Sequence, residues 1–346
     1  MRVLIVRFSA LGDITLSLPI LQQLNEQYPN LELFYLSKPF AKSLVSSCDV
    51  KFVDIDLKSK HKGIFGLFKL SRKIKKEINP DLVIDLHQVL RSKILNFFFG
   101  LSAIKVFSIN KGRAEKKALT RRDNKIRKTL KHSSLRYADV FQEAGYPINF
   151  KTETFQGLKL NSRSDLECGI KDDDINVGIA PMAQHKGKSW PLRSMKILIQ
   201  KLIKDGRQVY LFGGTADFEA LNRLSSISDQ VVNLVGKGNL LEELNFMKKL
   251  HVFVTMDSSN MHLASMVNIP VVSIWGATHS DAGFGPLGEN HELKVEIEPE
   301  QLECRPCSVF GNKECFRGDY ACLEEISPNR VMEKINLALK KNSNDA

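Results

Sequence analysis

The sequence predicts an α/β protein made of two Rossmann-like halves with parallel sheets and a cleft between them. Three observations carry that expectation. The chain has 346 residues, more than one hydrophobic core usually organises. Short apolar runs of strand length alternate with segments of helical periodicity, the pattern of a parallel sheet covered on both faces. Polar turns follow several of those strands directly, where open α/β sheets place their ligands.

The elements follow in order. Arg2-Val-Leu-Ile-Val-Arg-Phe8 reads as a buried strand, Ser9 to Asp13 as a short loop, and Ile14, Leu18, Leu21 and Leu24 as the apolar face of a helix ending before Pro29. Pro19 falls inside that pattern, so the helix is expected to start late or to kink. Leu31–Leu36, Lys51–Asp56 and Asp81–Leu86 are further strands. The pattern weakens between Lys111 and Arg136 and then resumes. Strands are expected at Asn176–Ala180, Gln208–Phe212, Val231–Val235, His251–Met256 and Pro270–Trp275, with helices starting near Pro191 and spanning about 217–226, 240–249 and 259–267. The weakly patterned, acidic stretch 151–175, Asp172 to Asp174 included, is the expected linker. The expected domains are therefore 1–160 and 175–325, with 326–346 a C-terminal helix and tail that can pack back on the first domain. No internal repeat at a fixed period and no low-complexity tract interrupts this series.

Composition narrows the function. Apolar residues make up 43% and charged residues 26%, ordinary for a globular chain and unlike a disordered or fibrous one. No apolar run approaches the ~20 residues that span a bilayer; Ile94 to Ile104 has 11, bracketed by Lys93 and Lys105. Arg7 and Asp13 interrupt the N-terminal apolar stretch, which speaks against a secretory signal, and a cytoplasmic protein is expected. Residues 1–150 hold 27 Lys and Arg against 13 Asp and Glu, while the remainder is nearly balanced at 23 against 26. One half should therefore meet something anionic. Lys58 to Lys76 interleaves Ile64, Phe65, Leu67, Phe68, Leu70 and Ile74 with basic residues and suits a membrane surface. Lys111 to Arg136 holds 11 basic residues and two acids, open to a membrane surface, a nucleic acid or a solvated face. The scarcity of aromatic residues in that run disfavours nucleic acid.

Three turns at strand ends carry the candidate chemistry. In Ser9-Ala-Leu-Gly-Asp13, Gly12 permits a tight backbone and Asp13 is either a general base or a helix cap. In Thr255-Met-Asp-Ser-Ser-Asn-Met-His262, the start of a helix at Ser258 to Asn260 can hold a phosphate, or Asp257 and Ser258 simply cap it. His262, a turn into that helix, reads as structural. In Gln184-His-Lys-Gly-Lys-Ser-Trp-Pro191, Lys188 is placed to neutralise a diphosphate, or is a solvated lysine. Gly283-Phe-Gly-Pro-Leu-Gly288 matches a dinucleotide fingerprint in letters only, because Pro286 removes a donor and no strand leads straight into it. Asp54-Ile-Asp56 fits within or at the end of a short strand, so no metal is assigned there. Cys304, Cys307, Cys315 and Cys322 are either structural zinc ligands or reduced thiols in a compact loop; a reducing cytoplasm disfavours disulfides. Cys48 and Cys168 read as ordinary thiols.

Taken together, Arg2 to Asp13, Lys188-Ser-Trp-Pro191, Asp257-Ser-Ser-Asn-Met-His-Leu-Ala264 and Ile274-Trp-Gly-Ala-Thr278 resemble glycosyltransferase family 9, the ADP-heptose:lipopolysaccharide heptosyltransferases. The resemblance spans nearly the whole chain. It implies a GT-B fold with the acceptor on the first domain and the nucleotide sugar on the second. It also implies inverting transfer that needs no metal or other cofactor, with an ADP-sugar as co-substrate. Asp13 falls on the family's catalytic aspartate, Lys188 on the lysine at the donor phosphates, and Asp257, Ser258 and Ser259 on the diphosphate turn. Glu219 lies near the acidic ribose contact and Met182 on the donor side. Gly12, His87 and Arg91 fall on the acceptor side, where His87-Gln88 replaces the family's usual Gln-Gly pair. The implied partners are a nucleotide-sugar donor, an anionic lipid-anchored glycan and the cytoplasmic face of the inner membrane, with no nucleic acid and a monomeric enzyme. Another GT-B nucleotide-sugar enzyme, such as an epimerase, and a basic nucleic-acid-binding protein are the alternatives.

Overall fold

The computed structural model describes residues 1–160, 166, 168, 170, 174–288 and 290–344. Much of the expected linker, with Asp172 and Asp173, lies outside the described residues. The chain divides into two units, Met1–Lys111 with Ser133–Thr152 and Leu158–Ser162, and Gly112–His132 with Glu153–Gly157 and Arg163–Ala346.

In the first unit the chain runs β1 (Arg2–Val6), α1 (Leu11–Thr15), α2 (Leu18–Gln27), β2 (Glu32–Ser37), α3 (Lys42–Ser46), β3 (Lys51–Asp54), α4 (Gly63–Glu77), β4 (Leu82–Asp85), α5 (Leu90–Gly100) and β5 (Lys105–Ser108). Then α6 (Arg113–Thr120) belongs to the second unit and α7 (Ser133–Glu143) returns to the first. The five strands form one all-parallel sheet in the order β3-β2-β1-β4-β5. The central β1 is buried on both faces, which is why Val3 to Val6 is an unbroken apolar run rather than an alternating one. Leu67, Leu70 and Ile74 of α4 and Leu95 and Phe99 of α5 cover one face of the sheet together with Leu4, Val6 and Val83. Of the two outcomes expected at Pro19 the late start holds: Ile14 falls in a separate short helix, α1, that stops at Thr15, while α2 begins at Leu18 with Pro19 in its first turn. There its missing N–H costs nothing, since first-turn amides have no intrahelical acceptor.

The second unit contains β6 (Asn176–Ala180), α8 (Leu192–Lys204), β7 (Gln208–Leu211), α9 (Phe218–Ser225), β8 (Val231–Asn233), α10 (Leu240–Met247), β9 (Val252–Met256), α11 (Ser259–Met266), β10 (Val271–Trp275), β11 (Lys294–Glu296), α12 (Ala321–Glu324) and α13 (Pro328–Asn344). Its six parallel strands are ordered β11-β10-β9-β6-β7-β8. Every strand of both sheets pairs in parallel, as the buried apolar runs require. The last helix, expected to be able to return to the first domain, belongs to the second unit, where Val331, Ile335 and Ala338 enter the core with Ile199, Leu202 and Ile274.

The basic run after Lys111 also departs from the expected 1–160 domain. Gly112–His132 joins the second unit as a strap, its Leu119 and Leu130 packing with Ala282 and Phe284. Several of its charges are used within this unit. Lys125 Nζ donates to the carbonyls of Cys304 and Pro306 at 2.7 and 2.9 Å, and Arg127 donates to Glu303 O at 3.0 Å. Lys116 stands 4.1 Å from the ring centre of Phe284 and Arg122 4.7 Å from that of Phe316. Among the described residues no helix is long and apolar enough to cross a membrane.

Candidate functional site

In the first unit, β1 delivers its turn at the carboxyl edge of the sheet, and α1 starts at once, making Asp13 the third residue of the helix. There its carboxylate serves as a capping group and an ion-pair partner. Its Oδ2 accepts the Ala10 amide at 3.4 Å, a capping contact, and lies 2.6 Å from Arg7 Nη2. The Tyr137 hydroxyl donates to Oδ1 at 3.5 Å. The Arg7 side chain is buried, its guanidinium 5.5 Å from the Tyr137 ring centre, and it also donates to the Leu86 carbonyl. Burial alone would weaken its hold on the proton, but the Asp13 charge and hydrogen bond together with Tyr137 and Tyr35 outweigh that and raise its pKa. Burial pushes the Tyr137 hydroxyl far up and Tyr35 to about 12, so both stay neutral donors. Arg7 and Tyr137 were not singled out from sequence. An arginine set between the apolar run Val3–Val6 and Phe8 is the signal that could have pointed to a buried anion partner.

Beside β1, the end of β4 forms a turn around Asp85, which is fully buried. Its Oδ1 accepts the His87 and Gln88 amides at 2.8 Å each, and its Oδ2 accepts Ser92 Oγ at 2.8 Å and Asn96 Nδ2 at 2.7 Å. Gln88 is held at φ 44°, a left-handed conformation that favours glycine. His87 Nδ1 accepts the Phe8 amide at 3.3 Å and its ring meets Phe8 edge-on at 5.3 Å. Burial first, then the positive charges of Arg7 and Lys111, lower its pKa to about 3. A neutral His87 therefore stands at the same sheet edge as Asp13. Gly12 is buried within α1, and Arg91 is exposed in the first turn of α5.

In the second unit, neighbouring strands β6 and β9 bring two of the predicted turns together. Lys188 Nζ lies 2.8 Å from Asp257 Oδ2, the two side chains 16% and 7% exposed. Asp257 is thus an ion-pair partner, while Ser258 occupies the N-cap of α11 without a side-chain capping bond; its Oγ meets Thr255 Oγ1 at 3.1 Å. Ser259 is the first residue of that helix. A lysine ammonium beside the opening turn of a helix is an anion-binding combination. Trp190 fixes the lysine loop by donating its indole N–H to Ile326 O at 3.1 Å. Gly311, which sequence reasoning missed, sits beneath the lysine stem at φ 71°; a Cβ there would lie 2.5 Å from Lys188 Cγ. Met182 is half-buried against the core of this unit. Glu219 is exposed in the first turn of α9, apart from the ion pair in sequence and on a different strand's turn.

The four clustered cysteines line one small cavity with Leu302, Arg305 and Tyr320. All are reduced, and burial raises the thiol pKa of Cys304 and Cys307, and that of Cys322 to about 12. Among the described residues no three His, Cys, Asp or Glu side chains are arranged to hold a metal ion. The loop is held by Arg305, fully buried, which donates to Gly276 O at 2.6 Å, to Trp275 O and Thr278 O at 3.2 Å, and to Glu296 at 3.0 Å. Burial alone would raise the Glu296 pKa; the His279 hydrogen bond at 2.9 Å and the Arg305 charge override it and set it at about 2.

Two units, each built on an all-parallel α/β sheet, are the architecture of the GT-B class. The model of glycosyltransferase family 9 (heptosyltransferase) matches residues 67–313, and the chain belongs to that family. The lipooligosaccharide heptosyltransferase 2 of Haemophilus influenzae is 26% identical over 99% of this chain and its own whole length. Among solved structures, the family 9 glycosyltransferase of Veillonella parvula superposes with a TM-score of 0.75 at 19% identity, covering 98% of this chain and 97% of that one. The Escherichia coli heptosyltransferase WaaC, solved with ADP, gives 0.66 at 18% identity, covering 98% and 100%.

Proposed function

We propose that this heptosyltransferase-family enzyme moves a heptose or related sugar from an ADP-sugar to a lipopolysaccharide core, or similar lipid-linked glycan, with inversion at the anomeric carbon and no metal. In this reading the first unit takes the acceptor and the second the donor. The acceptor hydroxyl attacks the anomeric carbon, its proton passes to Asp13, and the bond to ADP breaks with the electron pair leaving on the diphosphate. Arg7 and Tyr137 hold the carboxylate in one orientation. Lys188 and the opening amides of α11 at Ser258 and Ser259 receive the negative charge that develops on the leaving group, with Asp257 aiming the lysine. Glu219 and Met182 serve the sugar-nucleotide side, and Gly12, His87 and Arg91 the acceptor side. The enzyme works as a monomer at the cytoplasmic face of the inner membrane.

The observation that carries the reading is the Lys188 ammonium, mostly shielded from water and placed 2.8 Å from Asp257 at the start of α11. The deciding experiment is Asp13→Ala, assayed with ADP-heptose and a heptose-deficient core acceptor. Transfer should vanish while ADP binding by calorimetry stays intact; near-normal turnover would remove Asp13 from the base role.

A further inference from the structure

The packing of α4 and α5 leaves an apolar ridge on the outside of the first unit. Along α4, Gly66, Leu67, Leu70 and Ile74 face the core, and the opposite side turns out. Ile64 and Phe65 stand at its first turn, Phe65 81% exposed, with Phe68 one turn on. Phe97 of α5 and Leu101, which caps its C-terminal end, are 62% and 71% exposed. The two helices join through aromatic contacts: Phe68 meets Phe98 edge-on at 5.2 Å, and Phe98 lies 5.8 Å from Phe97. Solitary exposed apolar residues need no explanation, but several large ones on two adjoining helices mark a surface that something covers.

Charge decides what covers it. Continuing down the same outer side of α4, Lys69, Arg72, Lys73 and Lys76 are all exposed, and Lys62 precedes the helix. The one acid on α4, Glu77, pairs with Lys73 at 3.8 Å. A protein partner of matched apolar shape would not call for a nearly unbroken run of cations beside the rings. A bilayer of anionic lipid does, with rings at the acyl boundary and ammonium groups among the phosphates. The placement also fits. Crossover helices run opposite to the strands they connect, so Ile64 and Phe65 lie at the carboxyl edge of the sheet, the edge that carries Asp13.

We infer that the outer side of α4 and α5, with Phe65, Phe97 and Leu101 as its wedge and Lys69, Arg72 and Lys73 as its phosphate contacts, docks the enzyme on an anionic phospholipid surface. The inference deepens the membrane placement proposed above and rests on it, but its test needs neither donor nor acceptor. The full chain is floated with vesicles of one part phosphatidylglycerol to two of phosphatidylcholine, and with phosphatidylcholine alone. Binding should be strong to the first, weak to the second, and diminished by salt. Phe65→Ser with Phe97→Ser and Leu101→Ser should lower partitioning about tenfold or more. Lys69→Glu with Arg72→Glu should lower it by at least about fivefold per charge on anionic vesicles only. Phe65→Trp, which keeps an aromatic ring, should shift its emission to the blue when anionic vesicles are added. Wild-type partitioning by the triple variant, or an unshifted Phe65→Trp spectrum, would overturn the inference. So would sedimentation showing a dimer that the triple variant dissociates. Transfer to a soluble, delipidated acceptor should survive in the triple variant. If transfer is absent even in the native chain while vesicle binding follows this pattern, the transferase reading fails and the docking surface stands.

Discussion

The Lys188–Asp257 pair offers the sharpest test, because stability and ligand binding should part company there. Both side chains are mostly shielded from water and the charges are 2.8 Å apart. Removing the cation alone, as Lys188→Met, leaves the Asp257 carboxylate without its counter-charge. For fully buried pairs that costs 3–5 kcal/mol; with part of the lysine in contact with water, about 2–4 kcal/mol is expected here. For a unit of this size the melting temperature should fall by roughly 5–12 °C. Asp257→Asn should cost a similar amount for the converse reason. The double variant replaces both charges with neutral groups of similar volume and should recover most of the loss, giving a coupling of about 2 kcal/mol in a double-mutant cycle. Its ADP binding should not recover. A phosphate contact from an ammonium contributes about 1.5–3 kcal/mol, so calorimetry should show ADP weakened by roughly tenfold or more in both Lys188→Met and the double variant. Strict additivity of the two melting shifts would refute the pair as a structural unit. Undiminished ADP affinity in the double variant would refute the diphosphate role of Lys188.

Two further expectations follow from single residues. His87 has a folded-state pKa near 3, well below that of an exposed histidine, so the unfolded chain takes up its proton first as the solution is acidified. Stability should therefore be intact above about pH 6.5 and decline progressively towards pH 3; in His87→Asn, melting curves across that window should fall less steeply, and equal slopes would contradict the assignment. Gly311→Ala places a side chain on a backbone at φ 71° and 2.5 Å from Lys188 Cγ. Differential scanning calorimetry should show a drop of a few degrees, and ADP should bind less tightly because the lysine is displaced; a variant with native melting and native affinity would show that the loop yields freely.

Much of this architecture could be read from periodicity. The strands from Val3 to Val6 and from Val252 to Met256 are buried at every position and, Thr255 apart, apolar throughout because both faces are covered. The edge strands β5 and β11 were missed. Lys105–Ser108 is only partly buried and Lys294–Glu296 has three residues ending in a glutamate, so neither shows the apolar signature. The turn residues Asp13, Lys188 and Asp257 were visible as chemistry at strand ends. Their partners were less so, because Arg7, Tyr137 and Gly311 are set by tertiary contacts between segments far apart in sequence. Arg305 is the extreme case. An arginine before a proline in a cysteine-rich loop reads as surface, yet four main-chain carbonyls and Glu296 make its burial tolerable.

The strap formed by Gly112–His132 has a practical corollary for anyone wishing to study the halves separately. No single cut yields two self-sufficient pieces. A scission near position 160 would strip Leu119 and Leu130 from Ala282 and Phe284, and leave the carbonyls of Cys304 and Pro306 without the ammonium of Lys125. A C-terminal fragment beginning at residue 175 should therefore be poorly behaved alone and be rescued by supplying the 112–132 peptide in trans. Circular permutants that retain the strap beside its bed would be the sounder route to an isolated second unit.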